Sequence, residues 1–296
     1  MASDKVVVSL GTATPGGGFP VYGQAVTDTI NAVDATLEVR PQNTKGSTEN
    51  VPLLDAGKID LGLVTGEVVY EALAGIGRPK ADLRVFSAMY SSPGMFVLRA
   101  DSPARTIADL EGKPVVFGAK GSGLVVLARY VLDGLGLEIE RDFKASYLDR
   151  AGDGPKMVLE GQAAALWGGG IGWPGFKAMA ESTVGARFIV PDAEGVRRIL
   201  AKHTFLRALT VPANSYPGQS EPIASLGSWS FIMARPGLDD SVAYRLARAL
   251  HRGEAQLAQR LAQARETTAL NTIAAAAPEQ LHPGVLRYFR EAGLMR

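Results

Sequence analysis

The chain has 296 residues, 46% hydrophobic and 21% charged, a balance that sustains a packed core and excludes a disordered polypeptide. Lys and Arg number 31 against 30 Asp and Glu, for a net charge of +1, so the basic excess of a nucleic-acid binder is missing. There is no cysteine, which excludes disulfides, thiol nucleophiles and Cys-based zinc sites, and the longest apolar runs, such as Gly123–Val131, fall short of the roughly 20 residues of a membrane span.

Met1–Lys5 leads directly into a strand-like run, without the basic and apolar regions of a secretion signal. Two expectations stay open: a cytoplasmic protein, or one whose leader has been removed. Lys5–Leu10 reads as a strand buried on both faces. After the Gly/Thr/Pro loop Gly11–Gly18, the spacing of Val21, Ala25, Val26, Ile30 and Val33 predicts a helix over Val21–Val33. Leu37–Arg40 alternates like a strand, Val51–Ala56 is helical with Gly57 placed to end it, and Ile59–Val64 is the next strand. This β-α-β-α-β order implies a parallel sheet with right-handed crossovers.

Leu83–Tyr90 and Met95–Arg99 read as two strands separated by Ser91-Ser92-Pro93-Gly94, a turn-like run. Alternation then resumes with strands at Pro114–Phe117, Ala145–Leu148, Ala163–Trp167 and Arg187–Val190, and helices at Leu124–Leu132, Gly154–Leu159, Gly175–Ala180 and Ala193–Ala201. Ala224–Ala234 is extended, and Asp239–Gln263 and Gly284–Ala292 are helical. The expected architecture is α/β with two lobes, each a mainly parallel sheet flanked by helices, and a ligand cleft between them. Residues 1–88 and 226–296 form one lobe and 95–222 the other, with crossing strands near 83–99 and 224–234 as a hinge.

The candidate chemistry lies in the strand-to-helix loops, because ligands of open α/β sheets bind outside the carboxyl ends of the strands. Gly11–Phe19 offers glycines, the Thr12 and Thr14 hydroxyls and a helix N-terminus, whose unpaired N–H groups suit an anion. It is neither a P-loop nor a dinucleotide fingerprint; taken alone it reads equally well as a turn. Gly118–Gly123 repeats the chemistry in the second lobe, with Ser122 at the position of a helix N-cap. In Asn43–Asn50, Ser47 reads first as an N-cap and Lys45 as a solvated side chain. Thr65 and Glu67 follow the third strand. Trp173, beyond the glycine-rich turn after Trp167, serves equally as an aromatic wall or a core residue. His203, His251 and His282 carry no metal spacing, and His282 reads as structural.

In order along the chain, Gly11–Val21, Gly46-Ser47-Thr48-Glu49-Asn50, Gly57–Val64, Gly121-Ser122-Gly123, Asp239–Tyr244 and His282–Gly293 resemble the motifs of the TAXI proteins, the TRAP-associated extracytoplasmic immunogenic group of solute-binding proteins. The resemblance implies a type II periplasmic-binding-protein fold, a secreted precursor, a small carboxylate ligand, and the membrane subunit of a tripartite ATP-independent transporter as partner. Phe19 and Pro20 stand where the family usually has two tyrosines, Thr65-Gly66-Glu67 replaces Gln-Ser-Asp, and Ala163-Ala164 replaces Asp-Ala.

The resulting expectation is a periplasmic, monomeric binding protein that closes on a small organic anion without catalysis, metal, cofactor or nucleic-acid partner. The expected ligand-binding residues are Thr12, Thr14, Gly18, Phe19, Ser47, Asn50, Thr65, Glu67, Ser122 and Trp173. A cytoplasmic small-molecule sensor and an enzyme on the same fold are the alternatives; the second needs an acid/base pair, and none stands out.

Overall fold

The computed structural model describes residues 5–296, so the opening segment discussed above lies, apart from Lys5, outside the described residues. Strand β1 (Val6–Gly11) leads to helix α1 (Gly18–Val33), β2 (Leu37–Gln42), α2 (Ser47–Asp55), β3 (Leu61–Thr65), α3 (Gly66–Ala74) and the long β4 (Arg84–Arg99). Then come β5 (Pro114–Ala119), α4 (Gly123–Leu135), α5 (Ile139–Asp142), β6 (Lys144–Leu148), α6 (Gly154–Leu159), β7 (Ala165–Gly169), α7 (Pro174–Ala180), β8 (Ala186–Ile189), α8 (Ala193–Lys202), β9 (Arg207–Val211) and β10 (Ile223–Ala234). The chain ends with α9 (Asp240–Arg252), α10 (Glu254–Arg260), α11 (Ala269–Ala275) and α12 (Pro283–Glu291). No helix among the described residues is long and apolar enough to cross a membrane.

Two compact units divide the chain. Unit 1 holds residues up to Ala13, Phe19–Tyr90 and Trp229–Arg296. Its sheet pairs β1 in parallel with β2 and β3, and β3 antiparallel with β10, Thr65 facing Ser230 and Leu61 facing Ala234. Leu10, Leu37, Leu54, Leu63, Leu246 and Val285 are among its fully buried side chains. The Lys5–Leu10 strand is not buried on both faces: Val7 is 48% exposed while Val8 and Leu10 are buried. Valine favours extended backbone whether or not its side chain is covered.

Unit 2 holds residues 14–18 and Ser91–Ser228. β5 pairs in parallel with β6 and β7, while β4 runs antiparallel to β7 and β8. Its apolar side chains form two clusters. One is centred on Phe96, Phe117, Leu127 and Trp167, the other on Val97, Leu166, Trp173 and Phe176.

Three further sequence readings are corrected. The two strands expected within Leu83–Arg99 are one, and Ser91–Gly94 is not a turn. Ser91 and Ser92 are buried, and buried backbone needs ladder hydrogen bonds. Gly94 is there for space: a Cβ on it would come within 2.6 Å of the Trp167 ring. The helical stretch Asp239–Gln263 is broken at Gly253 into α9 and α10, where a Cβ would meet Thr29 Cγ2 at 2.5 Å. Finally, α2 begins at Ser47 rather than Val51, and Ser47 is its first helical residue, with Gly46 (φ 116°) at the cap position.

His282 is structural, as read. Its Nδ1 accepts the Gly284 N–H, its Nε2 lies 3.1 Å from the Leu238 carbonyl, and burial holds its pKa below the ordinary histidine value.

Candidate functional site

In unit 1 the parallel strands β2, β1 and β3 lie side by side, so their carboxyl ends, Gln42, Gly11 and Thr65, open onto one edge. The loops that leave this edge are stitched together by side chains. Thr12 donates twice to the Gln42 carbonyl, through its N–H and its hydroxyl, both at 3.0 Å. The Thr44 hydroxyl donates to the Thr12 carbonyl at 3.1 Å and accepts the Gly46 N–H at 3.1 Å. Asn50, fully buried on the inner face of α2, gives its amide Nδ2 to the carbonyls of Thr12 (2.8 Å), Leu63 (2.8 Å) and Gly11 (3.3 Å). Ser47 Oγ accepts the Thr65 N–H at 3.1 Å. Glycine is required at position 11, where a Cβ would lie 2.8 Å from Asn50 Oδ1.

Asn50 is thus hydrogen-bonded to Thr12 and Ser47 to Thr65, and all four residues are nearly inaccessible to solvent. Ser47 does not cap its helix as expected; its hydroxyl is turned onto the end of β3 instead, and no side chain caps α2. Thr65 occupies the cap position of α3, yet its hydroxyl makes no cap bond and finds no partner in the protein. Asn50 Oδ1 is likewise buried without a donor. Glu67, 1% exposed, lies in the first turn of α3, where a carboxylate is favoured by the helix dipole. Lys45 is exposed, and its N–H is held by Glu49 at 2.6 Å. No lysine or arginine belongs to this group, so any negative charge bound here meets N–H and O–H dipoles.

Thr44 was missed by sequence reasoning. It sits inside Asn43–Asn50, and its bridging role follows from the turn that brings Gly46 back over it. Phe19 is half-buried on α1, and Gly18 is the buried first residue of that helix. Tyr22, three residues on, does not stand in for the two tyrosines of the TAXI motif: its hydroxyl is buried at 2.8 Å from Thr267 Oγ1, and burial pushes its pKa far up.

The remaining expected residues belong to unit 2. Thr14 Oγ1 accepts the Ala151 N–H at 3.1 Å. Ser122 is the N-cap of α4, its Oγ accepting from Leu124 N at 3.2 Å, as its position before the helix implies. Trp173 is 6% exposed and packs edge-on against Phe176 at 5.0 Å, within the second apolar cluster. Gly168 and Gly175 leave room for its ring, since a Cβ on either would overlap it. Trp167 is a core residue whose Nε1–H donates to the Leu124 carbonyl at 2.7 Å. Thr14, Ser122 and Trp173 are not gathered into one hydrogen-bonded group.

Several solved structures share the fold. MatC from Rhodopseudomonas palustris, solved with bound malate, is 15% identical over 98% of this chain and 97% of its own, with a TM-score of 0.60. A protein from Bordetella bronchiseptica RB50 is 14% identical over 98% of both chains, also with a TM-score of 0.60. The alkanesulfonate-binding protein SsuA from Xanthomonas axonopodis pv. citri, bound to MOPS, is 17% identical over 98% of this chain and 85% of its own, with a TM-score of 0.50. These likenesses establish the two-lobed α/β fold of periplasmic binding proteins. The sequence model of the NMT1-like family matches residues 10–293, nearly the whole chain, and the protein belongs to the NMT1-like family.

Proposed function

We propose that this protein is an extracytoplasmic solute-binding protein that captures a small organic anion and delivers it to the membrane subunit of a TRAP-type importer, acting as a periplasmic monomer of the TAXI group. The observation that carries the reading is the edge of unit 1, where the side-chain-uncapped N-terminus of α2 and the partnerless Thr65 hydroxyl meet at the carboxyl ends of β1, β2 and β3. Backbone N–H groups at a helix head are a ready anion site. Thr65, Ser47 and Thr12 would orient the ligand, with Asn50 holding their loops in place. The ordered TAXI-like motifs and the malate- and MOPS-bound structures of similar fold support an anionic ligand.

Glu67, buried in the first turn of α3 and two residues beyond Thr65 in sequence, is proposed as a further ligand contact. The test is a thermal-shift screen of the full chain against malate, glutamate, simple dicarboxylates, alkanesulfonates and neutral metabolites, since a ligand of the folded state raises the melting temperature. Stabilisation by one of these organic anions supports the reading. Stabilisation by neutral compounds alone overturns the anion assignment.

A further inference from the structure

A groove of about 400 Å³ lies in unit 2, bounded by Ala100, by Ala186, Arg187 and Phe188 of β8, and by the loop Gly218–Ile223. It lies at the end of the unit 2 sheet opposite the loops considered so far. β4 is antiparallel to β7 with Gly94 facing Gly169 and Val97 facing Leu166, so Arg99 and Ala100 extend past the amino end of β7, whereas the Gly118–Gly123 loop leaves the carboxyl ends. Among the described residues β8 pairs only with β4, which leaves its other edge open along the groove.

Arg187 is the notable side chain there. Its Nη2 donates to the Ala100 carbonyl at 3.0 Å, while its Nε–H is buried without an acceptor. Among the described residues it joins no ion pair. Arg187 is half-buried; a guanidinium keeps its charge and presents five donors in a fixed fork, and a buried N–H needs an acceptor. A carboxylate matches that fork with two parallel N–H···O bonds. Phe188, Pro222 and Ile223 add an apolar lining, with Phe188 held in place by Tyr216 at 4.9 Å and Phe176 at 5.4 Å.

The opposite wall is already built. Gln219 accepts the Ser215 N–H at 2.9 Å and donates to the carbonyls of Pro212 (2.9 Å) and Glu221 (2.6 Å), closing the loop on itself. Asn214 (φ 61°) and Gly218 (φ 76°) make its left-handed turns. Glu221 is exposed and is the one other charged residue lining the groove.

From this arrangement we infer that the groove along β8 is a second binding site, for a monocarboxylate with a small apolar body, held by Arg187 and independent of the transported ligand. Glu221 at the groove restricts the site to single negative charges. The inference does not rest on the transport reading.

The test is NMR titration of the full-length protein with pentanoate, following the backbone amides and the Arg187 Nε–H resonance. Binding is expected to move the Arg187 Nε–H and the amides of Ala100, Ala186–Phe188 and Gly218–Ile223. Arg187→Gln should weaken pentanoate about tenfold or more, and Glu221→Gln, an exposed change that leaves the core untouched, should strengthen it about two- to threefold. An unmoved Arg187 Nε–H at saturating pentanoate overturns the assignment. So does equal affinity in wild type and a folded Arg187→Gln variant, or a Glu221→Gln variant that binds no more tightly.

Discussion

The Ser47 hydroxyl accepts the backbone N–H of Thr65 at 3.1 Å, joining the head of α2 to the end of β3 across a separation of 18 residues. Both residues are buried. The bond therefore fixes the geometry of the unit 1 edge as well as its stability. Ser47→Ala leaves the Thr65 N–H buried without an acceptor, which costs about 1–3 kcal/mol. Urea unfolding should register that loss, together with weaker binding of whichever anion the thermal-shift screen identifies.

Thr65→Val separates binding from folding. The Thr65 hydroxyl has no partner in the protein, so replacing it with a methyl group of similar shape removes no internal hydrogen bond. Stability should stay within about 0.5 kcal/mol of wild type, while affinity for the anion falls about tenfold, the equivalent of one lost hydrogen bond to a charged group. Calorimetric titration beside urea unfolding measures both. Unchanged affinity would remove Thr65 from the ligand site.

Asn50→Asp tests the stitching of the loops. The amide Nδ2 faces three carbonyls, those of Gly11, Thr12 and Leu63, and an aspartate would set carboxylate oxygen against all three. Losing the buried donors and burying an unpaired charge should cost about 3 kcal/mol or more. Circular dichroism and urea unfolding should show a partly unfolded or strongly destabilised protein. A stable variant would contradict the structural role given to Asn50.

Acid should act through Asp60. Burial pulls its pKa upward, but the Ser9 N–H (2.9 Å), the Arg235 guanidinium (2.8 Å) and the Ser9 hydroxyl (3.0 Å) outweigh it and hold the carboxyl below its ordinary value. A depressed folded-state pKa gives stability that is present above the unfolded pKa, about 3.9, and is lost as the pH falls through the folded value. Asp60→Asn should be less stable than wild type at neutral pH, and the gap should close below about pH 4. Melting temperatures of the two proteins from pH 7 to pH 3 check it, and a gap that does not depend on pH would refute it.

Sequence by itself determined most of the succession of strands and helices, though not α3, α5, β9 or α11, and the place of the polar loops at the carboxyl ends of the strands. Hydrophobic period, glycine and proline are local signals, and β5–α4 or β7–α7 needs no distant partner to be recognised. Tertiary structure decided what those signals leave open. Ser91-Ser92-Pro93-Gly94 has the composition of a turn, yet it lies inside a strand because its surroundings are buried and Trp167 occupies the space beside Gly94. Ser47 has the composition of a cap, yet its hydroxyl serves Thr65, a residue that only the fold brings near. Asn50 is one polar residue in a nine-residue helix until β1 and β3 set three carbonyls around its amide. Arg187 is one charged residue at the start of an expected strand until the loop Gly218–Ile223 closes a groove beside it. In each case the deciding quantity is burial across long sequence separation, which determines whether a polar group meets water or must find its partner within the protein.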